Sequence, residues 1–271
     1  MSRYIDTLPT PTYVKPKKLV VLSASRSGTL GIYQALKQLG YKPYHMAEVL
    51  ITGVPAIKIL MDGMVAEMFH EGKPYGRAEF DKWFADYDVI TEIPFYMLRS
   101  VLKAYPDAKF LLTERNPEKW AKSFENTVGI TEQRMNTLPM SMLNYFDGRA
   151  SHLGFFNRRM VDYNTNGFGV SDKGREALIE NYKAYIADVK RLVPPEQLTV
   201  CKLEDGFGWK ELCPCLGVPI PDTPWPSLNT TEEFHSVSAP MHQRVVKKGI
   251  IRVTTIIAIA AVGLWTHWEE G

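Results

Sequence analysis

Residues 19–39 constrain this chain more tightly than any other stretch. An apolar, largely β-branched run from Leu19 to Leu22 gives way to Ser23-Ala24-Ser25-Arg26-Ser27-Gly28-Thr29, and an amphipathic helical pattern follows through Leu39. The order builds a phosphate cradle. A buried strand delivers the loop, small residues let backbone N–H groups converge, and the helix N-terminus adds its positive end. Arg26 stands where it can add a full charge.

The loop departs from the common nucleotide motifs. A Walker A loop reads G-x-x-x-x-G-K-[ST], and its lysine reaches the β and γ phosphates. Here Ser23 replaces the first glycine, and Ser27-Gly28-Thr29 stands where Gly-Lys-Ser/Thr would follow. A dinucleotide-binding G-x-G-x-x-G is also absent.

A second strand carries a second phosphate-binding pattern. Ala108 to Glu114 is apolar at its centre and ends in Arg115-Asn116-Pro117. Pro117 suits the first turn of a helix, where its missing N–H is no loss. That helix brings Ser123 eight positions after Arg115. An arginine at a strand end offers a planar fork to phosphate oxygens, and a hydroxyl on the following helix completes the contact.

Taken together, the two motifs resemble those of the sulfotransferases that use 3′-phosphoadenosine 5′-phosphosulfate (PAPS). That family carries a basic residue followed by Ser-Gly-Thr after the first strand. After a later strand it carries Arg-x-Pro, with a serine eight residues beyond the arginine. The resemblance is to a fungal-type branch and covers most of residues 17–235. Gly40-Tyr41, Tyr44-His45-Met46, Tyr105-Pro106-Asp107-Ala108-Lys109, the block from Leu203 to Trp209, and Leu216-Gly217-Val218-Pro219 support it in chain order. It implies a three-layer α/β domain over residues 1–246, with a central parallel sheet of P-loop-NTPase-like type, plus a C-terminal helix. It further implies transfer of a sulfuryl group from PAPS to a hydroxyl or amine, with no metal. Ser25, Arg26, Ser27, Gly28 and Thr29 would then hold the 5′-phosphosulfate, Arg26 would neutralise the transferred group, and Arg115 and Ser123 would hold the 3′-phosphate.

The coarse pattern agrees with such a sheet. Strands are expected over residues 18–23, 87–91, 108–114 and 198–203. Helices are expected over 28–39, 55–70, 77–85, 95–104, 117–127 and 172–191. Short apolar strands alternating with helices argue for a parallel sheet covered on both faces. Ligands of such sheets sit beyond the carboxyl ends of the strands, and both phosphate motifs lie at such ends. So does Glu92, which closes the strand Asp88-Val89-Ile90-Thr91 ahead of Ile93-Pro94. Sulfuryl transfer needs a base for the acceptor hydroxyl, and Glu92 is the candidate. Many relatives place a histidine near this point. Capping of the next turn or pairing with Arg26 are the structural alternatives for Glu92, and His45 is a rival base. Glu114 should point opposite to Arg115, because side chains alternate along a strand.

Residues 126–170 are rich in Met, Phe, Asn and Arg, including Met135, Met142, Phe146, Phe155, Phe156 and Arg158. They suit either a cover over an apolar small-molecule acceptor or a helical hairpin packed on the core. The chain has 271 residues and a formal charge of +2, so no global field steers it to nucleic acid. Its 3 cysteines make neither a disulfide framework nor a zinc set. The first residues lack an apolar signal region.

The tail, residues 247–271, is a separate question. Val253 to Trp265 is uncharged, with Lys247, Lys248 and Arg252 before it and Glu269 and Glu270 after it. A membrane span needs about 20 apolar residues, or about 17 at the low end, and Gly249 to Trp265 just reaches that limit. The tail therefore reads as an anchor holding the domain at the cytoplasmic face. An interfacial or packed terminal helix stays open as the alternative. Lys247-Lys248-Gly249 faintly resembles a late Arg-Lys-Gly loop of the family and is not assigned to the site. Two other classes also stay open. One is a nucleotide kinase or hydrolase, although no Gly-Lys-Ser/Thr and no clear strand-end Walker B aspartate exist. The other is a non-catalytic, membrane-anchored nucleotide-binding or scaffold protein, left open by Arg26 in place of the family's common lysine and by Glu92 in place of histidine.

Overall fold

A computed structural model describes residues 3–226, 243, 246–252, 254, 255, 258 and 259. In chain order its elements are β1 (Leu19–Val21), α1 (Thr29–Gln38), β2 (Pro43–Tyr44), α2 (Met46–Thr52), α3 (Val54–Met68), α4 (Arg77–Phe84), β3 (Val89–Thr91), α5 (Leu98–Ala104), β4 (Phe110–Glu114) and α6 (Pro117–Phe124). There follow α7 (Ile130–Asn136), α8 (Met140–Asn144), α9 (Gly148–Asn164), α10 (Asp172–Leu192), β5 (Leu198–Lys202) and α11 (Trp209–Leu216).

The strands form a 5-stranded sheet in the order β2-β3-β1-β4-β5, and every pairing is parallel. β1 and β3 are buried along their whole length. That is why β1 reads as an unbroken apolar run and β3 as Val-Ile closed by a hydrogen-bonded Thr91: helices cover both faces. Alternation along β1 divides the core. Val20 and Leu22 join a large cluster with α3, α4, α5, α6 and α10. Leu19 and Val21 face the other way, onto Ile32 and Leu36 of α1 and Leu212 and Cys213 of α11. The expected three-layer α/β arrangement is present.

Differences from the expected elements have local causes. Two-residue β2 carries no periodic signal, yet it adds an edge strand, with Tyr44 opposite Ile90. The expected helix 55–70 begins at Val54 because Gly53, at φ 79°, breaks α2 from α3. Residues 93–96 form a 3₁₀ turn before α5. The expected helix 117–127 ends at Phe124, where residues 125–129 continue as a π-helical turn into α7.

Residues 130–164 form the helices α7, α8 and α9. Met135, Leu153, Phe156 and Met160 are buried against the core, whereas Met142, Tyr145 and Phe155 are exposed. The segment is thus a helical layer packed on the core that keeps an exposed apolar outer side. The described start of the tail is helical over residues 246–252. Lys248 Nζ lies 3.0 Å from Asp147 Oδ2, and Arg252 donates to the Phe146 carbonyl. A Cβ on Gly249 would collide with Leu143, so only glycine lets the two segments approach this closely. Among the described residues no helix is long and apolar enough to cross a membrane. Most of the uncharged stretch expected to form an anchor lies outside the described residues.

Candidate active site

β1 opens into the cradle loop, and the neighbouring elements fix its carbonyls from outside. Tyr185 Oη of α10 donates to the Leu22 carbonyl at 2.5 Å, and Trp120 Nε1 of α6 donates to that of Ser25 at 2.8 Å. Arg115 Nη1 donates to the Arg26 carbonyl at 2.8 Å. Thr113 Oγ1 of β4 donates to the Ser27 carbonyl at 2.6 Å. Within a peptide unit C=O and the next N–H point in opposite directions. Carbonyls held outward at Ser25 and Ser27 therefore turn the N–H groups of Arg26 and Gly28 into the loop's concavity.

The backbone conformation serves the same end. Arg26 sits at φ 68° and Gly28 at φ 82°. A residue with a side chain in that region, such as Arg26, costs about 1–3 kcal/mol and persists only when its surroundings over-determine it. A Cβ at Gly28 would also come within 2.9 Å of Leu203 Cδ1, so that side chain would have to move. Gly28 caps α1, whose first N–H groups have no intrahelical partner. Ser25 Oγ and Ser27 Oγ are buried with no hydrogen bond of regular geometry, although the Tyr96 and Tyr182 hydroxyls lie near them. Buried orphan hydroxyls, inward N–H groups and a helix N-terminus are what an anionic phosphosulfate requires, so the residues present fit that group.

Arg26, Arg115 and Ser123 come together at the loop, but not as two separate clamps. Arg26 Nε reaches Ser123 Oγ at 3.4 Å. Arg115 braces the Arg26 backbone, and its own N–H donates to Tyr182 Oη at 2.8 Å. Burial pulls both guanidinium pKa values down. Glu92 offsets this for Arg26 and Glu204 for Arg115. Both stay cationic. Asn116 caps α6 by accepting from the Lys119 N–H, and Pro117 occupies the first turn.

Glu92 stands at the end of β3 with φ 63° and only 7% of its surface exposed. It makes no capping bond to the turn that follows, which removes capping as its role. Its Oε2 lies 2.6 Å from Nε2 of His45. Tyr96 lies against the same carboxylate. Burial first, then the charge of Glu92, raises the Tyr96 phenol far above its ordinary pKa, so it remains protonated. His45, also buried, precedes α2, and its Nε2 is 3.2 Å from Thr29 Oγ1. The two rival bases of the sequence are therefore direct neighbours. Glu114 points away, to Lys190 of α10. With Lys190, Lys202, Asp205 and Glu211 it lines a cavity of about 400 Å³ at the β5 edge that contains no cradle residue.

The outer layer reaches this centre at Tyr96. The ring of Phe156 on α9 meets Tyr96 edge-on at 5.6 Å. The supporting groups Thr113, Trp120, Tyr182 and Tyr185 escaped the sequence reading. Each is an ordinary core position by pattern, and only its polar atom distinguishes it. All 3 cysteines are free. Among the described residues no cluster of His, Cys, Asp and Glu could hold a metal ion.

Comparison with known proteins bears on this geometry. The model of a sulfotransferase domain matches residues 18–234. A protein of Aspergillus versicolor called Ava biosynthesis cluster protein M is 28% identical over 255 residues, which are 92% of this chain and 95% of that one. A crystal structure of a sulfotransferase from Alicyclobacillus acidocaldarius aligns with a TM-score of 0.36 at 13% identity, covering 89% of this chain and 97% of that chain.

Proposed function

The chain belongs to the sulfotransferase domain family, and from that premise we propose that it moves a sulfuryl group from PAPS to the hydroxyl or amine of a small, apolar acceptor. The observation that carries the reading is the cradle. Its carbonyls are held outward by Trp120, Arg115 and Thr113, while the Ser25 and Ser27 hydroxyls are buried with no hydrogen bond of regular geometry.

In this reading the cradle and the α1 N-terminus hold the 5′-phosphosulfate. Arg26 lies over the group in transfer and offsets charge on its oxygens and on the leaving phosphate oxygen. Arg115 and Ser123 bound the side that receives the 3′-phosphate. Glu92 takes the acceptor's proton as the new S–O or S–N bond forms and the bond to the bridging phosphate oxygen breaks, releasing 3′-phosphoadenosine 5′-phosphate. No step calls for a metal.

The outer layer of α7–α9 meets the centre at Tyr96 and supplies apolar surface for the acceptor. The Aspergillus versicolor relative is named for a biosynthesis cluster, which supports a secondary metabolite as the acceptor class. The uncharged tail, flanked by Lys247, Lys248 and Arg252, supports attachment to the cytoplasmic face of a membrane.

Calorimetry of the full chain in detergent against 3′-phosphoadenosine 5′-phosphate, with ATP and NAD as controls, tests the reading. Micromolar binding of the 3′-phosphorylated nucleotide alone supports it. Binding of ATP alone replaces it with phosphoryl transfer. Donor binding without turnover on any acceptor would instead support a non-catalytic protein of the same fold.

A further inference from the structure

We propose that His45 is the positioning residue of this site: it presents its Nε2 proton to Glu92 and does not itself take the acceptor's proton. The proposal rests on the sulfotransferase reading and settles which of the two neighbours acts on the acceptor.

The argument begins at the other ring nitrogen. His45 caps α2, and its Nδ1 accepts the N–H of Ala47 at 3.0 Å. A backbone N–H can only donate, so Nδ1 must hold a lone pair there. A neutral imidazole carries one proton, which therefore sits on Nε2. Nε2 faces Glu92 Oε2 at 2.6 Å, with Thr29 Oγ1 as the more distant neighbour at 3.2 Å. The short contact is thus an N–H donated to a carboxylate, the stronger kind of hydrogen bond.

His45 consequently has no lone pair to offer a substrate. One nitrogen is used by the α2 cap and the other carries the proton that Glu92 accepts. Moving the proton to Nδ1 would set two N–H groups against each other and break the cap. The ring cannot readily turn, since Tyr33 stacks on it at 5.1 Å and 28° and it is only 6% exposed. Tyr33 in turn is held by Glu48, to which its hydroxyl donates at 2.5 Å.

The carboxylate is oriented from several sides. His45 holds Oε2, Tyr96 lies alongside, and Arg26 supplies the nearby positive charge. Because His45 also neighbours Thr29, the first residue of α1, it links the base on β3 to the cradle on α1. A displaced cradle would then displace the base as well.

The test separates the cap from the contact with Glu92. In His45→Asn the shorter amide still caps α2, since asparagine is among the best N-cap residues, but it does not reach Glu92. With the full chain labelled with ¹⁵N-histidine, the His45 resonances are assigned by their loss in His45→Asn. They are expected to show a protonated Nε2 and an unprotonated Nδ1, and the Nε2 proton should move upfield in Glu92→Gln. His45→Asn leaves Glu92 Oε2 without its donor, so it is expected to melt somewhat below the parent while still binding 3′-phosphoadenosine 5′-phosphate equally well. Its kcat should fall by about 10²-fold, the scale of a misplaced catalytic group, with KM for the donor unchanged. A proton on Nδ1, or parental kcat in His45→Asn, overturns the proposal. If the parent shows the Nε2 proton but binds no 3′-phosphoadenosine 5′-phosphate, the sulfotransferase reading fails first and the role of His45 fails with it.

Discussion

Arg115 Nη1 donates to the carbonyl oxygen of Arg26 across 2.8 Å, so a side chain at the end of β4 sets a peptide plane in the loop after β1. An arginine expected to meet a 3′-phosphate also shapes the cradle for the 5′ end. Replacing Arg115 with alanine should therefore weaken 3′-phosphoadenosine 5′-phosphate binding by at least about tenfold, and lysine should rescue little because it lacks the planar fork. Calorimetry on both variants checks this; unaltered affinity in Arg115→Ala would remove the residue from the nucleotide site.

Arg26 is expected to act on rate. Its guanidinium reaches Ser123 and shares its surroundings with Glu92. Arg26→Ala should lower turnover by roughly 10²–10³-fold, the scale of losing one transition-state donor. Single-turnover kinetics at saturating donor isolates that step, and a parental rate constant would end its catalytic assignment.

Glu92→Gln keeps the volume and still accepts from His45, but it loses the basic oxygen. The rate should fall by roughly 10²–10⁴-fold with donor affinity retained. Should nucleotide binding be lost together with rate, Glu92 would be a support of the cradle rather than the base.

Trp120→Phe keeps an aromatic ring but removes the pyrrole part of the indole, leaving a small cavity and deleting the N–H that reaches the Ser25 carbonyl. A buried carbonyl left unpaired costs about 1–3 kcal/mol. Denaturant unfolding should show that loss, and nucleotide affinity should fall in parallel because the Arg26 N–H is no longer aimed inward. A variant that loses stability and keeps full affinity would show that the loop holds its shape without this bond.

Removing residues 253–271 should release the chain from membrane fractions while leaving the Lys248–Asp147 and Arg252–Phe146 contacts intact. Flotation on lipid gradients compares the two chains. Equal flotation would transfer membrane binding from the tail to the folded domain.

Much of this fold was legible in one dimension because its signals are local. A strand buried on both faces must be apolar at consecutive positions, so Leu19–Leu22 and Ala108–Leu112 announced the central strands. Pro117 marked the start of α6 and Gly28 the start of α1, since each meets a backbone requirement of its own position. Glu114 was placed away from Arg115 by alternation alone, and it pairs with Lys190. The phosphate-binding character of residues 23–29 likewise follows from small residues between a strand and a helix.

What remained beyond reach was most of the pairwise contact between residues distant in the chain. Nothing near Trp120, Tyr185 or Thr113 says that its polar atom closes on a carbonyl 95, 163 or 86 positions away, because each is spaced as an ordinary core residue. The pairing of His45 with Glu92 is of the same kind. The sequence offers them as alternatives, and the parallel alignment of β2 beside β3 makes them partners, with Tyr44, one residue before His45, set against Ile90, two residues before Glu92. Local chemistry selects which groups can bind an anion or a proton; the register of the sheet decides which of them meet.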